Sequence, residues 1–313
     1  MMRCNVGVVG AGYVGLVTAA ALSHVGHRVA CVDKDEERVA LLRTGRVPFY
    51  EPGLSELMTR SKGRLHFSTE LGPVVRNADV IFIAVGTPQG EDGSADLSSV
   101  GAVARSIGRA LAEASPGEAP LEAAPLGAPP GESRRERPLV VVNKSTVPVG
   151  SGDYVSMLVR DGMEEAEGGQ GVEFRVASNP EFLREGSAIY DSLFPDRIVV
   201  GADSREATDT LRALYEPIVE QSFPTELDPR PKVAVPFVTT DLTSAEMIKY
   251  AANAFLATKI SFINEIANLC GLVGADAGSV SYGIGLDGRI GSRFLSAGIG
   301  WGGGRASPRM SRP

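Results

Sequence analysis

The chain has 313 residues, 43% of them hydrophobic, with a mean hydropathy of +0.02 and a formal net charge of −7 at pH 7. That charge repels nucleic acid and anionic membranes as general partners, and the length accommodates more than one hydrophobic core. No run is expected to approach a membrane span, and three cysteines without ligand-like spacing build neither a disulfide framework nor a metal site, so a cytoplasmic protein of two domains is expected.

The chain opens on an apolar strand, Val6–Val9, which runs into Gly10-Ala11-Gly12-Tyr13-Val14-Gly15 and then a helix of small and apolar residues. A second strand, Arg28–Val32, is closed by Asp33. Gly10 suits a tight turn, Gly12 a close approach of backbone to a pyrophosphate, and Gly15 close packing of helix on strand, which places a diphosphate at the helix N-terminus. The strand before, the helix after and the acid ending the next strand are the context that marks a dinucleotide site. Asp33 suits the adenosine ribose and repels a 2′-phosphate, favouring NAD over NADP, while Lys34 and Arg38 act against that preference. Cys4, Cys31 and Cys270 read as small buried hydrophobes, and His24, His27 and His66, scattered singly, carry no role.

A helix over Asp35–Arg43 leads to the turn-like Phe49–Leu54 before another helical pattern, and strands are expected at Leu65–Ser68 and Val80–Ala84. The second ends in Val85-Gly86-Thr87-Pro88-Gln89, at the carboxyl end of a parallel strand, where open α/β sheets bind ligands. A helix from Leu97 to about Ala112 gives way to Ser115–Arg137, rich in Ala, Pro, Gly and Glu, which reads as a flexible insertion. Strands at Leu139–Asn143 and Phe174–Ser178 each end in a loop, Lys144–Gly150 and Asn179–Gly186, and Arg197–Val200 with a helix near Glu206–Ile218 completes a doubly wound, mostly parallel sheet.

After Pro229 the pattern changes. Val233–Thr239 is strand-like, and Asp241 or Thr243 suits the cap of a long helix over about Ser244–Leu272. Its apolar residues imply burial against the first domain or another subunit. Lys249 and Asn253, four apart, share one face of it.

These motifs, in this order and spacing, resemble the UDP-glucose/GDP-mannose dehydrogenase family. The matching pieces are Gly10–Gly15, FYEPGL at Phe49–Leu54, VGTP at Val85–Pro88, KSTVPVG at Lys144–Gly150, NPEFLREG at Asn179–Gly186, PDRIVVG at Pro195–Gly201, SAEMIKYAANAFLA at Ser244–Ala257 and FLSAGIGWGG at Phe294–Gly303. The versions at Lys144–Gly150 and Asn179–Gly186 look most like the UDP-glucose branch, with GDP-mannose or a UDP-N-acetyl sugar as alternative substrates. The resemblance implies a Rossmann-type NAD-binding domain over residues 1–236, carrying the insertion 115–137, and a helical central dimerisation domain over 237–304.

It also implies an activity: the C6 alcohol of UDP-glucose becomes a carboxylate as two NAD are reduced in turn, with a cysteine holding the aldehyde as a thiohemiacetal and then a thioester. On this pattern Lys249 and Asn253 stabilise negative charge on the C6 oxygen, while Thr146 and Glu185 hold or activate water near the nicotinamide. Gly10, Gly12, Tyr13, Val14, Gly15, Asp33, Arg38, Thr87, Thr146 and Glu185 fall to the cofactor. Glu181, Phe182, Leu183, Ser296, Gly298 and Gly300 fall to the sugar nucleotide, with Lys249 and Asn253, and Arg289 reaches a neighbouring subunit's substrate; a homodimer through the long helix is implied.

The end departs from the family. There the Gly-Gly matching Gly302-Gly303 continues Ser-Cys-Phe-Pro-Lys-Asp, whereas this chain reads Gly304-Arg305-Ala306-Ser307-Pro308 and on to Pro313, placing Arg305 at the nucleophile's position. A guanidinium stays protonated and has no nucleophilic lone pair to offer. Codons able to spell Arg305–Pro313 can, read from the preceding base, spell Ser-Cys-Phe-Pro-Lys-Asp-Val-Ser-Ala, so a frameshift after Gly303 is expected, with residues 305–313 an aberrant tail and the family's C-terminal sugar-nucleotide domain lost. The expectation is a chain inactive in oxidation, poorly soluble or self-associating, or a non-catalytic NAD-binding and dimerising fragment.

Overall fold

A computed structural model describes residues 3–90, 93–113, 138–166, 172–225 and 234–298. The expected insertion 115–137 and the residues from Arg305 on lie outside the described residues. Among the described residues the chain divides into two compact units, Met1–Thr87 with Ala95–Glu246 and Pro88–Ser94 with Met247–Pro313.

The first unit alternates strands and helices: β1 (Asn5–Val9), α1 (Tyr13–His24), β2 (Arg28–Val32), α2 (Glu36–Arg43), α3 (Leu54–Arg60), β3 (Leu65–Ser68), α4 (Gly72–Asn77) and β4 (Val80–Ile83). It continues through α5 (Ser98–Ala112), β5 (Leu139–Asn143), α6 (Ser151–Glu165), β6 (Phe174–Ser178), α7 (Ala188–Leu193), β7 (Ile198–Ala202), α8 (Arg205–Val219) and β8 (Phe237–Thr240). The strands form one eight-stranded sheet in the order β3-β2-β1-β4-β5-β6-β7-β8. All neighbours are parallel except β6 and β7, which meet antiparallel at Ala177↔Ala202 and Ser178↔Gly201.

The central strands β1, β4 and β5 are almost wholly apolar and buried along their whole length because both sheet faces are covered there. Val6, Val8, Val80, Phe82, Val140 and Val142 pack on one face under α1, α3, α7 and α8, and Val9, Ile81, Ile83, Leu139 and Val141 on the other under α5 and α6. The chain leaves β1 toward β2 and β3, then returns to β4 on β1's other side, which opens the crevice at the carboxyl ends of β1 and β4.

Four helices, α4, α6, α7 and α10 (Ala277–Gly285), stand where the sequence pattern marks none. α6 is hidden by its glycines, whose use is tertiary: a Cβ on Gly162 would collide with the Arg105 carbonyl of α5, and one on Gly108 with the Val159 carbonyl of α6. These two helices pack backbone to backbone.

Asp241 caps α9 (Leu242–Val273), accepting the Ser244 amide at 2.8 Å. Within the single chain Phe255, Phe262 and Leu269 of this helix are 65%, 50% and 55% exposed, which leaves another subunit as the expected cover for them. Their seven-residue spacing puts them on one stripe. By length and composition α9 also qualifies as a membrane span, its most apolar 18 residues averaging a hydropathy of 1.2, which overturns the expectation that no run approaches one. Alanines and small residues raise that mean, while Lys259 and Glu265 interrupt the apolar course.

Candidate functional site

The glycine loop is built by sterics. Gly10 has φ +104, and a Cβ there would lie 2.6 Å from the Ala84 carbonyl oxygen at the end of β4. A Cβ on Gly15 would collide with the Gly10 carbonyl oxygen, whereas one on Gly12 would meet nothing within 4 Å. The loop is therefore closed against the sheet at Gly10 and Gly15 and open at Gly12. α1 begins there without a capping side chain, so its first-turn amides face the open side and favour an anion.

Asp33 is buried and fastens this loop to the next. Its Oδ2 accepts the Ala11 amide at 2.7 Å and the Arg38 guanidinium at 3.0 Å, and its Oδ1 accepts the Asp35 amide at 3.0 Å. Arg38 also pairs with Asp35 at 3.3 Å. Asp33 further reaches Cys31, whose thiol is pushed up to about 12 by complete burial and then by the nearby carboxylate. All three cysteines are buried and take part in no disulfide.

Tyr13, in the same loop, rests on Phe49 with ring centroids 5.1 Å apart, and its hydroxyl donates to Glu51. Burial, and next the bond to Glu51, hold that phenol well above the usual tyrosine range. Glu51 also accepts the Gly186 and Ala188 amides, each at 2.8 Å. A single buried carboxylate thus joins three of the motifs, and nothing in the residue pattern marks it beyond its place in FYEPGL.

Beyond the strand ends, Thr87 donates to the Thr146 carbonyl at 2.8 Å, and Ser145 to the Val85 carbonyl at 2.8 Å. Lys144 is buried, its ammonium 2.9 Å from Asn179 Oδ1, which also accepts the Tyr215 hydroxyl at 2.6 Å. The Asn179 amide nitrogen donates to the Val199 carbonyl at 2.8 Å. Burial holds the Tyr215 phenol above its usual range. In the loop beyond, Glu181 is buried and accepts the Leu183 amide at 2.8 Å, Phe182 lies under the Arg197 guanidinium, and Glu185 is exposed. Glu246, one turn into α9, is buried and accepts the Gly150 and Gly152 amides at 2.6 and 2.8 Å, capping α6; desolvation nevertheless raises its carboxyl above the usual range.

The second unit carries the remaining candidates. Lys249 is buried and Asn253 half-buried, one turn apart on α9. Arg289 is exposed and pairs with Asp287 at 2.6 Å within its own loop. Ser296 is exposed, and the Gly298 amide donates to Asn264 Oδ1 at 2.9 Å. Gly300 lies outside the described residues. Among the described residues no group of acids, histidines and cysteines could hold a metal ion.

The first unit thus gathers Gly10–Gly15, Asp33, Arg38, Thr87 and Thr146 around the carboxyl edge of the sheet. The open face at Gly12, the uncapped helix and the acid at the end of β2 fit a dinucleotide.

The family model for the UDP-glucose/GDP-mannose dehydrogenase family, NAD binding domain, matches residues 4–115 and 132–219, and that for the same family's central domain matches 243–308. UDP-glucose 6-dehydrogenase YwqF of Bacillus subtilis is 46% identical over 301 residues, covering 96% of this chain and 58% of its own length. A UDP-glucose 6-dehydrogenase of Pseudomonas aeruginosa is 46% identical over 298 residues, covering 95% and 57%. The solved UDP-glucose dehydrogenase of Pyrobaculum islandicum superposes with a TM-score of 0.80 at 39% identity, covering 96% of this chain and 61% of that one. The GDP-mannose dehydrogenase of Pseudomonas aeruginosa superposes at 0.75 with 32% identity, covering 97% and 62%. The chain spans less than two thirds of the length of these relatives. With both family models matched in sequence order, the chain belongs to the UDP-glucose/GDP-mannose dehydrogenase family and carries its NAD binding domain.

Proposed function

We propose that these residues are the NAD-binding and central part of a UDP-glucose 6-dehydrogenase working in the cytoplasm. The observation that carries this reading is the glycine loop tied to Asp33, found in a chain 46% identical to relatives of that name. NAD, when bound, takes up hydride. Asp33 and the Gly12 face hold the dinucleotide; Thr146 and Glu185 order a water and move its proton; Lys249 and Asn253 present an ammonium and an amide to the C6 oxygen as charge develops. Glu181, Phe182, Leu183, Arg289, Ser296, Gly298 and Gly300 contact the sugar nucleotide, and the stripe Phe255–Phe262–Leu269 supports pairing of two copies through α9.

Arg305 favours a second reading for the chain as written, an NAD-binding and dimerising protein that does not turn over, since it stands where the family's cysteine stands. The test is NADH production from UDP-glucose and NAD, beside direct titration with NADH. Binding without turnover supports the second reading, turnover the first, and neither binding nor turnover defeats both. Turnover with GDP-mannose but not UDP-glucose would move the substrate assignment.

A further inference from the structure

Glu51 is a buried carboxylate with three donors converging on it: the Tyr13 hydroxyl, and the Gly186 and Ala188 amides at 2.8 Å each. The donors come from two segments far apart in sequence. Tyr13 opens α1 one residue beyond Gly12, so its backbone belongs to the face left open for a dinucleotide. Gly186 and Ala188 close the loop that bears Glu181 and Glu185. Each segment has ties of its own, the Ala11 amide to Asp33 and Arg184 to Asp191, but α1 and the six-residue α7 both start without a side-chain cap and neither tie reaches the other segment.

We propose that Glu51 is a positioning residue for the cofactor site, clasping the glycine loop through Tyr13 and the Glu185-bearing loop through Gly186 and Ala188 so that both face one dinucleotide. Phe49 completes the clasp, its ring 5.1 Å from that of Tyr13. Hydrogen bonds to a charged group are stronger than those between neutral ones, so these three fix how the two segments are placed relative to each other. The inference rests on the reading of this loop as an NAD site.

The test is a double-mutant cycle, read by NADH fluorescence titration on the full chain and, in parallel, by urea denaturation. Tyr13→Phe deletes one hydroxyl and keeps the ring on Phe49. Glu51→Gln keeps the shape and replaces an acceptor oxygen by an amide donor. Each is expected to weaken NADH binding about tenfold, and the double variant no more than about tenfold, because both break one coupled unit. Tyr13→Phe leaves Glu51 two of its three donors and is expected to move the urea midpoint less than Glu51→Gln does, so its loss of NADH affinity reports positioning rather than stability. The proposal is overturned if Tyr13→Phe binds NADH like the parent, if the two effects multiply, or if Glu51→Gln lowers only the urea midpoint. Should Glu51→Gln fail to fold, Tyr13→Phe alone decides. A parent chain that does not bind NADH defeats the NAD reading itself, and this inference with it.

Discussion

Asp33 accepts the Ala11 amide at 2.7 Å, so the residue that closes β2 also fixes the middle of the glycine loop after β1. Removing that carboxylate orphans a buried N–H and frees Arg38 from its 3.0 Å partner. Asp33→Ala is therefore expected to weaken NADH binding about tenfold or more, and Asp33→Asn less, because an amide oxygen still accepts from Ala11. Fluorescence titration of the two variants beside the parent measures this, and equal affinities in all three would refute it.

Gly12 and Gly15 separate binding from folding. Alanine at Gly15 drives its methyl into the Gly10 carbonyl, and a loss of about 3 kcal/mol or more is expected in urea denaturation. Alanine at Gly12 meets open space at φ −75, so stability stays within about 1 kcal/mol of the parent while NADH binding falls. A Gly12→Ala chain that binds NADH normally would show that this face is not the diphosphate site.

The central parallel strands were legible because strands covered on both faces are apolar runs, as in Leu139–Asn143, and Phe174–Ser178 was legible from its β-rich course between turn signals; the expected and observed bounds of both coincide. α6 was not, since Gly152 and Gly162 read as breakers until α5 and α9 are seen packed against them. Glu51 stayed silent for a related reason: one carboxylate in a turn acquires meaning only when Tyr13 and Gly186 arrive from elsewhere in the chain. The composition of α9 announced an apolar helix but not what covers it.

His27 sets a pH dependence. Its Nδ1 accepts the Cys4 amide at 3.2 Å while Nε2 donates to the Leu214 carbonyl at 2.8 Å, an arrangement only the neutral ring makes. Burial lowers its pKa below 6.5, and burial does the same at His24 and His66. The unfolded chain then binds more protons, so the stability these rings contribute is present above 6.5 and is lost as pH falls through the unfolded value toward the folded ones. The urea midpoint is expected to drop between about pH 7.5 and about pH 5.5, and less steeply in His27→Gln. Glu246, shifted upward, acts in the opposite sense, which makes the difference between parent and variant the informative quantity. Parallel curves would remove His27 from the account.

Asn179 serves Lys144, Tyr215 and Val199 at once. Asn179→Ala leaves a buried ammonium, a buried phenol and a buried carbonyl short of partners, and a loss of about 2–4 kcal/mol is expected with little change in urea m-value. A loss below about 1 kcal/mol would mean that water replaces the amide at little cost.

The stripe on α9 predicts association. Replacing Phe255 and Phe262 by Ser removes two rings that are 65% and 50% exposed, so stability is kept while self-association weakens. Sedimentation equilibrium of parent and double variant measures it; an unchanged mass would place the contact elsewhere.

The antiparallel junction of β6 and β7 pairs only Ala177 with Ala202 and Ser178 with Gly201, whereas β5 and β6 pair along five positions. Beyond those two rungs the Asn179 side chain reaches across to the Val199 carbonyl. The sheet is therefore two rafts moored side by side, and the amide protons of β7 and β8 should exchange with solvent together, through an opening that leaves β1 to β6 and the dinucleotide loop intact.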